Sequence, residues 1–438
     1  MQKAFREINK RKLIVFLLVC CLMWSVKCAF TQETNREGLE SGIKVDKIDK
    51  KQKTTNNGIQ WLSISGNKII DKNDNEVRLR GVQFDFGSIC GDLGRYKMTA
   101  DIVEFCDDML DYTVTEEAFV DVKEMGANVL RFSLNTYKDF EYEPYKYKES
   151  NFLKLDKQIE LAEKHNIYLL ISMRQAPGGQ NASPNSGNLG KNEFWGNEEY
   201  QNRIAALWKK IAERYSDKPI ILGYDLLNEP EAPNRAVFNK VMNHISNAIR
   251  EVDSKHIIVI EGNNWGKNLD RIDPPSDKNT AFSIHFYEPG IYAVKGKGDY
   301  PSVIKGQQFN KDALRKALAK RLKHSQGRVV IVGEFGAMSK AGNYLEYDRD
   351  VIDLFEGQNL SWIYWNYRNL RGKSDTQAIY YAKPDNEFSK FINDIQRGKP
   401  FSSFSEREKA DALEALEISN FSVKQDLKDL LIIKGVIK

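Results

Sequence analysis

A chain of 438 residues, 41% hydrophobic and 11% aromatic, can bury a large core as one big domain or two smaller ones, which excludes a disordered protein. The formal net charge of +4 is local: Lys3, Arg6, Lys10, Arg11, Lys12 and Lys27 against Glu7 put a surplus of +5 in residues 1–28, and the remainder, at −1, has no basic footprint for nucleic acid. Neither the 5 cysteines nor the 5 histidines cluster at metal-ligand spacing, so no metal or cofactor is expected.

In chain order, the basic head runs into an apolar stretch from Leu13 to Trp24, too short for a comfortable transmembrane helix. Residues 1–28 read as a secretory signal, with an uncleaved membrane anchor as the alternative. The protein is therefore expected outside the cytoplasm, meeting a membrane only if that segment is retained. Export permits Cys90 and Cys106 to pair across a Gly- and Asp-containing segment; two reduced, buried thiols are the bland alternative. Residues 29–57 are polar and look like a flexible linker. Lys68 to Leu79 reads as a β-hairpin around an Asp/Asn turn, which lacks the glycine and final glutamate of a calcium loop.

Eight apolar strand candidates follow: Val77 to Phe84, Asn128 to Leu134, Ile167 to Met173, Ile220 to Leu227, Ile257 to Glu261, Ala281 to Tyr287, Val329 to Glu334 and Ser361 to Asn366. Helical periodicity separates them, as in Phe152 to His165, Tyr200 to Tyr215, Arg235 to Val252 and Lys311 to His324. The alternation predicts an α/β fold, a (β/α)8 TIM barrel over residues 58–400 with an N-terminal β-hairpin. Two amphipathic patterns after Ser405 predict a helical C-terminal extension, residues 401–438, packed on the barrel.

Two glutamates stand out. Glu229 follows the strand Ile220 to Leu227, after Asn228, and Glu334 ends Val329 to Val332 abruptly, between Gly333 and a nearby Gly336 that would let a ligand approach. Their separation of about a hundred residues is roughly three barrel units, which places both on one rim. Two such carboxyls can supply a proton and a nucleophile to one glycosidic bond.

Six runs in this order resemble glycoside hydrolase family 5, the cellulase family: Arg78-Leu79-Arg80-Gly81-Val82, Gly126-Ala127-Asn128-Val129-Leu130-Arg131-Phe132, Asn228-Glu229-Pro230, His285-Phe286-Tyr287, Gly333-Glu334-Phe335-Gly336 and Trp362-Ile363-Tyr364-Trp365. The resemblance spans about residues 61–397. It implies a retaining glycosidase with Glu229 as acid/base and Glu334 as nucleophile, supported by Arg131, Asn228, His285, Tyr287 and Trp365. Arg131 and Tyr287 suit the stabilisation of an ionised Glu334, and His285 suits a bond to Glu229 or to the leaving sugar. Trp265 and Trp195 are lesser candidates for outer sugar subsites. The other histidines, His165, His244, His256 and His324, fit surface or capping roles.

One position departs from the family. Met173-Arg174-Gln175-Ala176-Pro177-Gly178 carries Arg174 where the family usually has a histidine that contacts the sugar. A guanidinium is larger, permanently charged and donor-only. It would recognise a hydroxyl or an anionic group on the sugar. The expected partner is a β-linked oligosaccharide or polysaccharide, glucan or mannan-like. A carbohydrate-binding barrel that no longer cuts and a transglycosylase are the alternatives, and oligomeric state is left open.

Overall fold

The computed structural model describes residues 59–85, 100–134, 137–183, 186, 190–370 and 374–432. The expected signal (residues 1–28), the expected linker (residues 29–57) and Cys90 lie outside them. No helix among the described residues is long and apolar enough to cross a membrane.

Eight parallel strands close into a barrel: β1 (Arg80–Phe84), β2 (Val129–Leu134), β3 (Tyr168–Met173), β4 (Ile221–Asp225), β5 (Ile257–Glu261), β6 (Thr280–Phe286), β7 (Val330–Phe335) and β8 (Ser361–Tyr364). Each pairs with its sequence neighbours, and β8 closes on β1 through Trp362 opposite Arg80. Helices α1 (Ala100–Thr113), α2 (Glu116–Glu124), α3 (Glu149–His165), α4 (Glu198–Tyr215), α5 (Arg235–Arg250), α6 (Lys311–Leu322), α7 (Tyr344–Gly357) and α8 (Glu387–Gln396) fill the connections. Asparagine side chains at Asn197, Asn234, Asn310 and Asn386 cap α4, α5, α6 and α8 by accepting first-turn backbone N–H groups. The β5 to β6 connection differs, holding only the single turn Asn263–Gly266.

Strand alternation sorts the side chains into two layers. On β2, Leu130, Phe132 and Leu134 join the large cluster beneath the helices, while Val129 belongs to a second cluster with Leu170, Leu222, Ile257, Val259, Ala281, Ile331 and Ile363. That second cluster is the apolar floor inside the barrel. Further along the strands the same inward columns turn polar, giving Gln83, Arg131, Ser172, Asp225, Glu261 and His285, all buried. A strict alternation along β7 would send Glu334 outward with Val330 and Val332. The register shift between β6 and β7, where Val332 pairs with Ile284 but Glu334 pairs with His285, leaves Gly333 as an extra residue. The bulge reverses the parity and turns Glu334 inward.

The expected hairpin is displaced by a few residues. Its strands are Ser63–Ser65 and Lys68–Ile70, and the Asp71 turn adds only a bridge between Ile70 and Glu76. Asp71 Oδ1 accepts the backbone N–H groups of Asn73 and Asn75, so its side chain is spent on the turn. Leu62 and Ile69 of this hairpin plug the apolar end of the barrel. Nearby, His256 is buried rather than at the surface, its Nδ1 in hydrogen-bonding contact with Asp253 and its ring 5.0 Å from the Trp61 ring. The extension after Pro400 carries two helices, α9 (Glu406–Glu414) and α10 (Gln425–Leu431), and a strand, Phe421–Val423, antiparallel to Tyr380–Ala382. Cys106 on α1 is buried and disulfide-bonded.

Candidate active site

Glu229 follows β4 and Glu334 lies on β7, three units apart, at the C-terminal end of the barrel strands. A carboxylate oxygen of each and a ring nitrogen of His285 lie within 4.8 Å of one another. Both glutamates are largely removed from solvent, with side chains 13% and 6% exposed.

Arg131 organises the pocket floor. Its Nη1 donates to Glu334 Oε1 at 2.6 Å and to Gln83 at 2.7 Å, and its Nε donates to Asp225 at 2.8 Å. Its Nη2 donates to Ser172, to Asn228 Oδ1 and, at 2.6 Å, to Glu261 Oε1. A guanidinium with no exposure is tolerable only with such compensation. Burial would lower its pKa, but the carboxylates of Asp225, Glu261 and Glu334 outweigh burial and raise it. Asn228 therefore spends its carboxamide oxygen on Arg131, which leaves its NH2 as a donor.

Around Glu334, the Tyr287 hydroxyl donates to Oε2 at 3.0 Å. Around Glu229, His285 Nδ1 lies 3.1 Å from Oε1, while His285 Nε2 sits 3.4 Å from Glu261 Oε1 at ion-pair rather than hydrogen-bonding geometry. Glu229 has φ of 49°, a left-handed conformation uncommon outside glycine. It is held from both sides: its N–H donates to Glu261 Oε2 at 2.7 Å and its carbonyl accepts from Asn181 at 2.9 Å.

These contacts set the proton inventory. For His285, burial opposes the charge, but Glu261, Glu334 and the bond to Glu229 raise its pKa well above the ordinary histidine value. For Glu229, burial would raise the pKa, yet the hydrogen bond and charge of His285 lower it. Glu334 is raised by burial, against the pull of His285 and Arg131. Glu261 is brought down to about 2 because His285 and Arg131 overcome its burial, and burial with repulsion from Glu261 pushes Asp225 up to about 7. The shifts of His285 and Glu229 both favour the charged pair, a protonated His285 beside an ionised Glu229. The donor atoms of Glu229, His285 and Glu334 are close enough to share a cation, but they already engage one another, Arg131 and Tyr287.

Arg174, after β3, does not stand free as a charged sugar contact. It forms a buried ion pair with Asp85, after β1, and its guanidinium carbon lies 5.2 Å from the Trp365 ring centre. Trp365 is half-buried, after β8. Trp265 is also half-buried, in the turn after β5, and its backbone N–H donates to the Pro230 carbonyl beside Glu229. Next to it, Gly266 (φ 69°) has no Cβ because one would stand 2.8 Å from the His285 ring. Trp195, by contrast, is buried, bonded to the Gln180 carbonyl and stacked on Phe238, which removes it from the sugar subsites. Gly333 on β7 and Gly336 just after it also serve the protein rather than a ligand. A Cβ on Gly333 would meet Ser283 Oγ at 2.4 Å, and one on Gly336 would meet Trp365 and Tyr364 at 2.9 Å.

Glu261, Asp225, Gln83, Ser172 and Asp85 were not singled out from the sequence as site residues. Glu261 carries the signal that exposed Glu334, a carboxylate closing an apolar strand, and could have been found by it.

The barrel and its carboxylate-lined mouth can be set against known proteins. Residues 74–370 match the profile of cellulases (glycosyl hydrolase family 5). A β-xylosidase of Phanerodontia chrysosporium is 28% identical over 371 residues, 76% of this chain and 75% of that protein. Endoglucanase C of Acetivibrio thermocellus is 25% identical over 308 residues, 61% of this chain and 87% of that protein. The crystal structure of endoglucanase Cel5A from Thermotoga maritima shares the fold, with a TM-score of 0.53 at 22% identity, covering 77% of this chain and 96% of that one. Fold and site together define a glycoside hydrolase. Within that class, the chain belongs to glycosyl hydrolase family 5, the cellulase family.

Proposed function

We propose that this protein is a retaining β-glycosidase that cleaves an uncharged β-linked glycan. The observation that carries the proposal is the approach of a Glu229 oxygen to within 4.8 Å of a Glu334 oxygen, a gap on the scale of retaining pairs, about 5 Å, and short of the roughly 6.5–9.5 Å that inverting pairs need. Glu334 attacks the anomeric carbon as the bond to the leaving oxygen breaks, and Glu229 delivers a proton to that oxygen. Glu334 is then an ester, its charge spent. Glu229, now the base, takes a proton from water, and the hydroxide equivalent displaces Glu334 with restored configuration. Arg131 and Tyr287 hold the attacking carboxylate, and His285, 3.1 Å from Glu229, supplies the acid's proton from the shared pair.

Arg174 favours an uncharged sugar. Asp85 neutralises it, and the carboxylates of Glu229, Glu261 and Glu334 would repel an anionic glycone. The named relatives support glucose-, xylose- or mannose-type glycans: a β-xylosidase, endoglucanases and a mannan endo-1,4-β-mannosidase. Export is part of the proposal, since the Cys106 disulfide suits an oxidising compartment and residues 1–28 carry a signal-like run.

The test is digestion of a panel of β-glucans, xylans, mannans and uronic-acid glycans by wild type and Glu334→Gln. Release of neutral sugars by wild type, lost at least about a thousandfold in the variant, is expected. Undiminished activity in Glu334→Gln would overturn the assignment, and a preference for uronic-acid glycans would overturn the uncharged substrate.

A further inference from the structure

Glu261 has no place in the two-carboxylate reaction, yet it touches every part of the apparatus around Glu229. One oxygen accepts the Glu229 N–H at 2.7 Å, and the other accepts Arg131 Nη2 at 2.6 Å and lies 3.4 Å from His285 Nε2. It reaches these groups from β5, the strand whose exit lacks a full helix. A mere counterion for Arg131 would be redundant, because Asp225 and Glu334 already contact that guanidinium. The contact to the Glu229 backbone is a different matter. It secures the left-handed residue from which the acid projects, a conformation that persists only where the surroundings enforce it.

We propose that Glu261 is a positioning residue for acid catalysis: it fixes the backbone of Glu229 and holds the imidazole of His285 against that glutamate. The proposal rests on the reading of Glu229 as the acid/base. Glu261 acts through its neighbours and does not touch the sugar. The charged and titratable groups facing it are Arg131 from β2, Asp225 from β4, Glu229 just after β4 and His285 from β6; those facing His285 are Asp225, Glu229, Glu261 and Glu334, with the Tyr287 ring 6.5 Å away. Loss of its charge weakens the hold of His285 on a proton. The pair that feeds the leaving oxygen then empties at lower pH.

The experiment compares wild type, Glu261→Gln and Glu334→Gln on two glycosides, phenyl β-glucoside, whose leaving group needs a proton, and 2,4-dinitrophenyl β-glucoside, whose leaving group does not. Glu261→Gln is expected to lose at least about tenfold in kcat on the phenyl glycoside with KM little changed, and far less on the dinitrophenyl glycoside. The alkaline limb of its pH profile should move down by about one unit or more. Equal losses on both glycosides with an unmoved limb would overturn the positioning role and leave a structural one. Should Glu261→Gln not fold, Glu261→Asp keeps the charge but withdraws it from the Glu229 N–H. It is expected to lose activity on the phenyl glycoside with the limb unmoved, and wild-type behaviour there would overturn the proposal. Glu334→Gln separates the two levels: if it stays active, the underlying glycosidase reading fails; if it is dead while Glu261→Gln matches wild type, only the role of Glu261 fails.

Discussion

The pocket floor is a problem in charge compensation solved around one arginine. Arg131 is fully buried, and its contacts with Asp225, Glu261 and Glu334 make it the common counterion of the site. Arg131→Met should therefore do more than abolish activity. Leaving three buried carboxylates uncompensated is expected to destabilise the fold by about 3–5 kcal/mol at neutral pH, read as a lower urea midpoint. A variant as stable as wild type would show that the cluster is better solvated than its burial implies. At this scale the sequence was informative where a charge closes an apolar run, as at Glu229 and Glu334, or falls in a recognisable motif, as at Arg131, His285 and Tyr287. It was silent on partners drawn from another strand. Nothing near Arg174 in sequence foretells Asp85, 89 positions away, so its charge looked available to a sugar when it is already paired.

Among the elements, the eight strands were legible because each is a short apolar run and buried parallel strands need apolar side chains on both faces. The bulge at Gly333 was not, since one extra residue leaves the composition of β7 unchanged while reversing which side chains face inward. The missing helix between β5 and β6 was likewise hidden, and so was the precise placing of the hairpin, where the Gly66-Asn67 turn rather than the Asp71 turn joins the two strands. Helix α7 carries a further buried acid that ties elements together. Asp348 accepts the Ala337 N–H after β7 and the Tyr364 hydroxyl of β8, and burial pushes its pKa up to about 8 despite those bonds and the charge of Lys424. A raised carboxyl keeps its proton in the folded state while the unfolded chain gives it up. Stability is therefore full below the ordinary Asp value and falls as pH climbs toward 8, with a limiting slope of roughly 1.4 kcal/mol per pH unit. Asp348→Asn keeps an acceptor for Ala337 and loses this slope. Its melting temperature is expected to exceed wild type by a margin that widens from pH 5 to 8; a margin independent of pH would show that Asp348 ionises freely.

The described residues form a barrel plugged at one end by a hairpin and braced on its flank by the C-terminal extension. The extension was legible as amphipathic helices, but its strand, three residues long, was not, because Phe421-Ser422-Val423 has meaning only against Tyr380–Ala382. It is fastened by more than that strand. Arg368 donates to the Leu416 carbonyl at 2.6 Å, Lys428 pairs with Asp121 on α2, and Leu416, Leu427 and Leu431 are buried. Removing residues 405–438 should lower the melting temperature sharply, since each buried leucine contributes about 1.5–3 kcal/mol. An unchanged melting temperature would make the extension an appendage. The central claim concerns the two glutamates, and the most direct measurement is mass spectrometry after incubation with 2,4-dinitrophenyl 2-deoxy-2-fluoro-β-glucoside. One fluoroglucosyl group, mapped to the peptide containing Glu334 and absent in Glu334→Gln, is the predicted result; attachment at another residue, or turnover of the natural glycan with inverted configuration, would contradict it.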